Sequence, residues 1–309
     1  MNRYLLLRLL SAIPAILGVA LTVFLLLHLI PGDPVEMMLG DIAPAADRQA
    51  LRHALRLDRP LGEQMLDYFG RLPYLDFGES LFTRRPVIEL IAERLPATLE
   101  LAVAALILAI TLALPLGILA AQYKDRTLDT VAMSFSLLGS SIPSFWLGPM
   151  LIMFFSLWLG LTPVGGRSGT LSLVLPALTL GTALAAILAR MVRSSLLEVL
   201  SEDFIRTAKA KGVSNILILL KHALSNAWLP VLTLLGLQLG SLLGGAVITE
   251  TVFDWPGLGS LLILSIQRRD IPVVQGCVLT ISLLYVIVNA ITDLIYAWID
   301  PRIRLSGTK

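Results

Sequence analysis

The chain contains little cysteine, histidine or charge. Its 309 residues include one cysteine, Cys277, and three histidines. A single cysteine excludes an internal disulfide and a cysteine-based metal cluster. Charged residues make up only 15% of the chain and the formal net charge is +2. The sequence therefore lacks the basic field that nucleic-acid binding requires.

The scarcity of charge accompanies an excess of apolar residues. Hydrophobic residues make up 56% of the chain and the mean hydropathy is +0.81, whereas soluble domains are about 45–50% apolar. A chain of this size could not bury that excess in one soluble core. The composition predicts an integral membrane protein.

Six apolar stretches are long enough to cross a bilayer as helices, which takes about 20 residues. They are residues 8–30, 97–121, 130–158, 172–193, 229–252 and 274–298. The third contains Pro143 and Pro149, so we expect a kink or an interruption there. The first resembles a signal peptide, but no small-residue cleavage site follows it, and we expect it to be retained. The sequence predicts an all-α integral membrane protein with six transmembrane helices.

Basic residues predict the orientation of these helices. With the N-terminus inside, the cytoplasmic segments hold 13 Lys and Arg residues, and the two short outer loops hold three, Arg167, Arg268 and Arg269. Because basic residues in short loops stay in the cytoplasm, both termini are expected there. The predicted segments are a first transmembrane helix over 1–30, an extracytoplasmic helical segment over 31–95, and a five-helix core over 96–309 that includes a loop at 199–228.

The outer segment 31–95 contains helix-like stretches near 45–57 and 61–72. Its apolar residues could seat a small helical cap on the membrane ends; they are Leu51, Leu55, Leu57, Leu61, Met65 and Phe69. Arg48, Arg52 and Arg56 recur at helical spacing. That stripe is either a contact for an acidic partner or, as the pattern favours, a solvated helix face.

The segment 194–229, between the fourth and fifth spans, carries helix signals. Ser201 precedes two acidic residues, which is typical of a helix start. Gly212 is a helix terminator, and Ser214 or Asn215 could begin a second helix over 215–226. Pro230 then marks the return to the membrane. The sequence predicts two short cytoplasmic helices joined at a glycine, either as a compact projection or as an interfacial connector.

Several motifs resemble one transporter family. The stretches EDFIRTAKAKG and HALSNAWLP resemble the cytoplasmic coupling loop of ABC-importer permeases in the dipeptide, oligopeptide and nickel branch. HLIPGDPV, DFGESLFTRRPV, TETVFDWPGLG, RRDIPVVQG and DPRIR are similar to the same branch. The resemblance covers essentially the whole chain, although Arg206 and Thr207 depart from the general Glu-Ala-Ala pattern of the loop.

The resemblance implies a division of labour among several proteins. The family works as a pair of related permeases, two cytoplasmic ATPase subunits and an external substrate-binding protein in the bacterial inner membrane. The loop inserts into a groove on an ATPase, and the residues implied for that contact are Asp203, Phe204, Arg206, Thr207, Ala208, Lys211 and Gly212. The chain itself has no G-x-x-x-x-G-K-[ST] phosphate loop, so ATP and Mg are expected on the partner subunits and this chain is expected to hydrolyse nothing.

The resemblance also implies an outer docking surface for the binding protein. Its candidate residues are Asp254, Trp255, Arg268, Arg269 and Asp270, together with segment 31–95. Gln238 and Asn289 lie more centrally in predicted spans and either hydrogen-bond between helices or line the translocation path. For the ionisable groups Glu100, Glu250 and Asp293, the positions favour structural roles over functional ones.

Cargo and mechanism stay open at this point. Peptides are the leading cargo, with nickel or its chelates and glutathione as alternatives in the same family. His28, His53 and His222 are too scattered for a metal site.

Two other classes of function are weighed against an ABC importer. A channel or secondary transporter would need no coupling loop. Gly166-Arg167-Ser168-Gly169 matches the nucleophile motif of intramembrane serine proteases, but a flexible outer turn explains it better.

Overall fold

The computed structural model describes residues 13–25, 35, 44–54 and 58–299. These residues form helices and turns, and within those ranges the only β-pairing is an isolated bridge between Glu79 and Pro86. His28 and Arg56 lie outside the described residues, as does the side chain of Asp293.

Eleven helices of at least eight residues lie within the described ranges, and a 3-10 turn, Leu72–Tyr74, follows the third of them. They are α1 (Ile13–Leu25), α2 (Ala45–Ala54), α3 (Leu61–Arg71), α4 (Val87–Gln122), α5 (Thr127–Ser141), α6 (Ser144–Leu151), α7 (Thr170–Leu200), α8 (Asp203–Ala210), α9 (Asn215–Val252), α10 (Leu258–Gln267) and α11 (Ile271–Ile299). A π-helical turn, Ile152–Trp158, continues α6, and another, Ile218–Ala223, lies within α9.

Four of these helices, α4, α7, α9 and α11, are long and apolar enough to cross a membrane, and the pair α5–α6 makes a fifth span if it is counted as one. Helix α1 is the described part of the first predicted span. The all-α membrane architecture is thus confirmed, whereas the count of six spans stays a prediction.

The third predicted span is broken, as its prolines predicted. Helices α5 and α6 meet at an angle of 104°. Pro143 cannot continue the helix because it lacks an N–H and disfavours helical backbone at the preceding residue. Ile142 is accordingly extended, with φ −85° and ψ 119°. Pro149, in contrast, lies within α6 without ending it.

The second predicted helix of the cytoplasmic loop differs from expectation. Instead of ending near residue 226, it runs without a break from Asn215 to Val252, and Pro230 lies inside it. A proline within a membrane helix is tolerated where the freed backbone groups find other partners. The predicted two-helix loop is therefore one short helix, α8, followed directly by a span.

The contacts divide the chain into two compact units. One comprises the described residues of Met1–Pro96 and Gly257–Val286, and the other those of Ala97–Pro256 and Ile287–Lys309. The first has a small core that includes Val87, Ile91, Leu258 and Cys277.

The second unit is built around α7, which packs against α5 and α9. Its apolar side chains fill the core of that unit, and they include Leu184, Leu188, Val192 and Leu196. Helix α4 approaches α7 closely at Gly181, where an added Cβ would lie 2.7 Å from the Ala105 carbonyl oxygen. Small residues of this kind allow close helix packing in membranes.

Helices α2 and α3 lie where the periodicity of the outer segment predicts them. In α3 the apolar residues are less covered than the predicted cap requires, because Leu61 is 48% exposed and α3 has no buried residue. Leu55 and Leu57 lie outside the described residues, as does the side chain of Leu51. Tyr68 of α3 stacks on Phe24 of α1, with ring centroids 5.4 Å apart. Burial raises the pKa of the Tyr68 hydroxyl to about 12.

Candidate coupling and docking sites

Helix α8 follows α7 after only two residues. Glu202 is the N-cap, with extended backbone at φ −70° and ψ 151°. Ser201, predicted to begin this helix, instead donates its hydroxyl to the Glu198 carbonyl at 2.7 Å and so terminates α7. The Ser201 and Glu202 amides also bond back to α7, at the carbonyls of Glu198 and Val199. Helix α8 is therefore joined to α7 by a tight turn.

One apolar side chain anchors α8 and another faces outward. Ile205 is fully buried and belongs to the same core cluster as Leu196, Ile218 and Ala223. Phe204 is 44% exposed, and Ala208 is half-buried. Neighbouring residues of a helix point about 100° apart. The structure accordingly separates the anchor, Ile205, from the exposed Phe204.

The C-terminus of α8 has the hydrogen bonds of a Schellman motif. Gly212 has φ +79° and donates to the Lys209 carbonyl at 2.9 Å, and Val213 donates to the Ala208 carbonyl at 3.2 Å. The left-handed backbone at this position favours glycine. Nothing lies within 4 Å of a Cβ placed on Gly212, so its requirement is conformational and not steric.

The polar residues of α8 lie on its exposed side. Asp203 and Arg206 form an ion pair at 3.3 Å, with side chains 94% and 77% exposed, and an exposed pair contributes little to stability. Thr207 donates its hydroxyl to the Asp203 carbonyl at 3.1 Å. Lys211 is exposed at the C-terminal end, where a cation complements the helix dipole.

A pair that the sequence analysis did not single out connects α7 to α5. Arg193 donates from Nε and Nη2 to the two carboxylate oxygens of Asp129, both at 2.6 Å. Asp129 is 4% exposed and also accepts the Asp125 amide at 3.0 Å. Arg190, one turn before Arg193, donates to the Ser140 hydroxyl at 3.1 Å. Two arginines within the apolar run of α7 were the sequence signal for this contact.

The Asp254-Trp255 corner combines a buried and an exposed residue. Trp255 is fully buried, and its indole N–H donates to the Ala97 carbonyl at 2.8 Å. Asp254 is exposed and has left-handed backbone, with φ +48°. The Trp255 amide donates to the Glu250 carbonyl at 2.8 Å, which closes the end of α9. Trp255 thus holds the corner, and Asp254 is the side chain available to a partner.

The Arg268–Asp270 corner also combines a buried residue with an exposed one. Asp270 is 4% exposed; its carboxylate accepts the Ser80 hydroxyl at 2.5 Å and the Leu81 amide at 3.0 Å. Arg268 is exposed, and its guanidinium carbon lies 4.3 Å from the centroid of the Phe82 ring. Ser80 is a site residue that the sequence reasoning missed, although its motif DFGES was noted. Asp270 therefore holds the segment around Ser80 against the end of α10.

Arg269 and Arg85 add charge near this corner. Arg269 is exposed and has φ +52°. Arg85 donates to Glu93, with its shorter bond at 2.5 Å, and to Glu89 at 3.4 Å. The hydrogen bond that Arg85 donates to the Glu93 carboxylate raises the pKa of the Arg85 guanidinium above its usual value. Arg85 is thus bound to two carboxylates of α4, the helix that directly follows it.

The remaining polar candidates do not cluster in one site. Glu100 pairs with Arg167 at 2.6 Å, and Glu250, fully buried, accepts the Thr98 hydroxyl at 2.6 Å. His53 lies 2.7 Å from Asp58. Ser168, the residue of the protease-like motif, is exposed in the turn before α7. Within the described part of the chain, no three metal-ligating side chains come together.

Gln238 and Asn289 are both half-buried but lie in different places. Gln238 lines a cavity of about 370 Å³ between α7, α9 and the α5–α6 break, and Asn289 does not. The two candidates for the translocation path are therefore not brought together by this cavity.

Comparison with known proteins identifies the family. Residues 113–305 match the family described as binding-protein-dependent transport system inner membrane component. Residues 1–102 match the N-terminal family of the same systems. The chain belongs to this family of permeases. The resemblance inferred from its motifs is thereby confirmed.

Full-length relatives place the permease in an ABC importer. It is 46% identical over 304 residues to the glutathione transport system permease protein GsiC of Salmonella typhi, which covers 98% of this chain and 99% of the relative. The identity to GsiC of Escherichia coli strain K12 is 44% over the same lengths. The permease is therefore a multi-pass inner-membrane subunit of an importer that uses ATPase and substrate-binding partners.

A solved structure supports the fold. The permease resembles a chain of the inward-facing MetNI methionine ABC transporter with a TM-score of 0.58 and 21% identity, over 69% of this chain and 97% of that one. At this identity the likeness establishes the shared helical fold alone.

Proposed function

We propose that the permease imports glutathione or a related small peptide that an external binding protein delivers. The observation that carries this cargo is the end-to-end identity of 46% with the glutathione permeases. Peptides were the leading cargo from the motifs, and glutathione, a tripeptide, belongs to that chemical class. The absence of a phosphate loop in the sequence supports a chain that hydrolyses nothing itself. ATP and Mg then act on two partner ATPase subunits.

The proposed contact with an ATPase is α8. An exposed aromatic ring on a short helix is suited to fill a groove on a partner, because aromatic anchors contribute much of the energy of interfaces. Phe204 supplies this ring, while Ile205 fixes the helix to the core of its unit. Gly212 lets the chain turn directly into α9. Asp203, Arg206, Thr207 and Lys211 are the surrounding polar rim.

The proposed docking residues for the binding protein are Asp254, Arg268 and Arg269. Asp254 and Arg269 occupy left-handed backbone at helix ends, where glycine is usual and another residue costs about 1 kcal/mol. Exposed charged side chains kept at such positions support a role beyond the fold. Trp255 and Asp270 act indirectly by holding these corners in shape.

The proposed orientation is supported by the basic residues of the short loops. Helix α8 belongs on the cytoplasmic side with both termini, and the corners at Asp254 and Arg268 belong outside. A second, related permease subunit completes the membrane pathway. Gln238 and Asn289 stay candidates for lining it.

The cargo is tested by uptake into proteoliposomes that contain the permease with its partner permease and ATPase subunits. With binding protein outside and ATP inside, labelled glutathione should accumulate, and unlabelled small peptides should compete. Vesicles loaded with ADP are the control. Accumulation that does not depend on ATP would favour a channel or secondary transporter and contradict the proposal.

The coupling contact is tested by Phe204→Ala in the same complex. We expect loss of binding energy of about 2 kcal/mol, a value typical of an interface anchor, measured as weaker ATPase association. Phe82→Ala, which truncates an exposed phenylalanine at the proposed outer side, is the matched control and should leave association unchanged. Equal effects of the two changes would show that α8 is not the contact.

A further inference from the structure

The cavity beside the helix break is lined by both polar and apolar residues. It has a volume of about 370 Å³, within the range of about 300–1,000 Å³ for small-molecule sites. Its polar lining residues are Ser144, Thr179, Gln238 and Ser241, and its apolar ones include Leu147, Leu180 and Ile187. The cavity reaches the protein surface, because Ala183 and Ser241 in its wall are exposed.

Two of the polar lining residues already form hydrogen bonds within the protein. Thr179 donates its hydroxyl to the Leu175 carbonyl at 2.8 Å, and Ser241 donates to the Gln238 carbonyl at 2.7 Å. The side-chain carboxamide of Gln238, in contrast, forms no hydrogen bond with any residue in the described ranges. A half-buried carboxamide on an apolar membrane-spanning helix such as α9 is costly unless water or a ligand completes its hydrogen bonds.

The carboxamide offers both a donor N–H and an acceptor oxygen. A peptide bond offers the complementary acceptor and donor on one planar group. Carboxylates and metal ions fit the cavity less well, since its lining contains no cationic and no anionic side chain. The chemistry therefore favours an uncharged amide.

We propose that this cavity binds a peptide bond of the cargo during translocation, with the Gln238 carboxamide as its hydrogen-bonding partner. The inference rests on the proposed function and adds a site within the membrane where cargo is held after it leaves the binding protein. Ser144, beside the break at Pro143, places a hydroxyl in the same cavity, and the apolar wall accommodates the aliphatic parts of the cargo.

The test uses the full reconstituted transporter and two readouts, uptake of labelled glutathione and ATP hydrolysis stimulated by the loaded binding protein. Gln238→Leu should lower uptake about tenfold, the loss of roughly one hydrogen bond. Stimulated ATP hydrolysis should stay within about twofold of the unchanged complex, because the coupling contacts are intact. Gln238→Asn should recover part of the uptake. Gln275→Leu changes a glutamine in α11 outside the cavity and should alter neither readout.

A second variant fills the cavity. Ala183→Trp should block uptake while ATP hydrolysis continues, and Val103→Trp, on an exposed face of α4, is its control for added bulk. Unchanged uptake in Gln238→Leu would overturn the inference, as would a parallel fall of uptake and ATP hydrolysis, which indicates a structural role. A lack of ATP-dependent uptake in the unchanged complex would instead refute the proposed function itself.

Discussion

Replacing Asp129 with asparagine tests how firmly α7 is held to α5. In the structure, Arg193 donates two hydrogen bonds of 2.6 Å to the Asp129 carboxylate. The Asp129 side chain is 6% exposed and that of Arg193 is 26% exposed. The substitution keeps the shape of the side chain but removes its charge, so the Arg193 guanidinium loses its counter-ion.

The expected loss of stability depends on how deeply the ion pair is buried. Breaking a fully buried pair by changing one partner costs about 3–5 kcal/mol, because the remaining charge is left without compensation. A quarter of the Arg193 side chain reaches the surface, where water can partly replace the carboxylate. We therefore expect Asp129→Asn to destabilise the permease by about 2–3 kcal/mol. Arg193→Met in the same chain removes the uncompensated charge and should recover much of this loss.

The assay is unfolding of the purified permease in mixed micelles by added SDS, followed through the fluorescence of its five tryptophans. The matched control is Asp203→Asn, which breaks the exposed pair with Arg206 and should cost less than about 0.5 kcal/mol. If Asp129→Asn were no more destabilising than Asp203→Asn, or if Arg193→Met added its full cost to the double variant, the reasoning from burial would be refuted.

Substitutions at three further positions probe the proposed coupling and docking corners. Gly212→Val should cost about 1–2 kcal/mol because of its left-handed backbone, whereas Gly212→Asn should cost less; equal unfolding midpoints would contradict the conformational argument. Asp254→Gly should raise stability by up to about 1 kcal/mol yet weaken binding-protein affinity, and unchanged affinity would remove Asp254 from the docking residues. Asp270→Ala leaves the Ser80 hydroxyl and the Leu81 amide without an acceptor, a cost of about 2–3 kcal/mol, so limited proteolysis should cut near Ser80 sooner.

The sequence predicted helix identity better than helix continuity. Apolar runs located the described spans, and Pro143 located the break between α5 and α6. Pro230, however, does not break α9, and Pro149 does not end α6. The difference at Pro143 is the extended backbone of Ile142 before it. Whether a proline interrupts a membrane helix depends on partners for the freed backbone groups, which tertiary packing decides.

The candidate site was predicted only in part, because tertiary packing also decides which of its side chains are exposed. Gly212 marked the end of α8 correctly, because a glycine terminator is a local signal. The predicted start at Ser201 was one residue early, since Glu202 is the N-cap. The local sequence could not predict which apolar residue of α8 faces the core. Ile205 is buried because α9 lies beside it. Likewise, the contact of Asp270 with Ser80 joins residues 190 positions apart, and only the fold brings them together.

Helix α7 is the element that links the two proposed sites. It is a single helix of 31 residues whose middle part, from Thr179 to Ile187, lines the cavity, and whose end continues through a tight turn into α8. At 1.5 Å per residue, Leu184 lies about 24 Å from Leu200 along the axis. An uninterrupted helix does not absorb a displacement between those points as a hinge would. If an ATPase moves α8, as proposed, the movement must change the wall of the cavity or bend α7. The Arg193–Asp129 pair lies between the two and opposes the bend by holding α7 to α5.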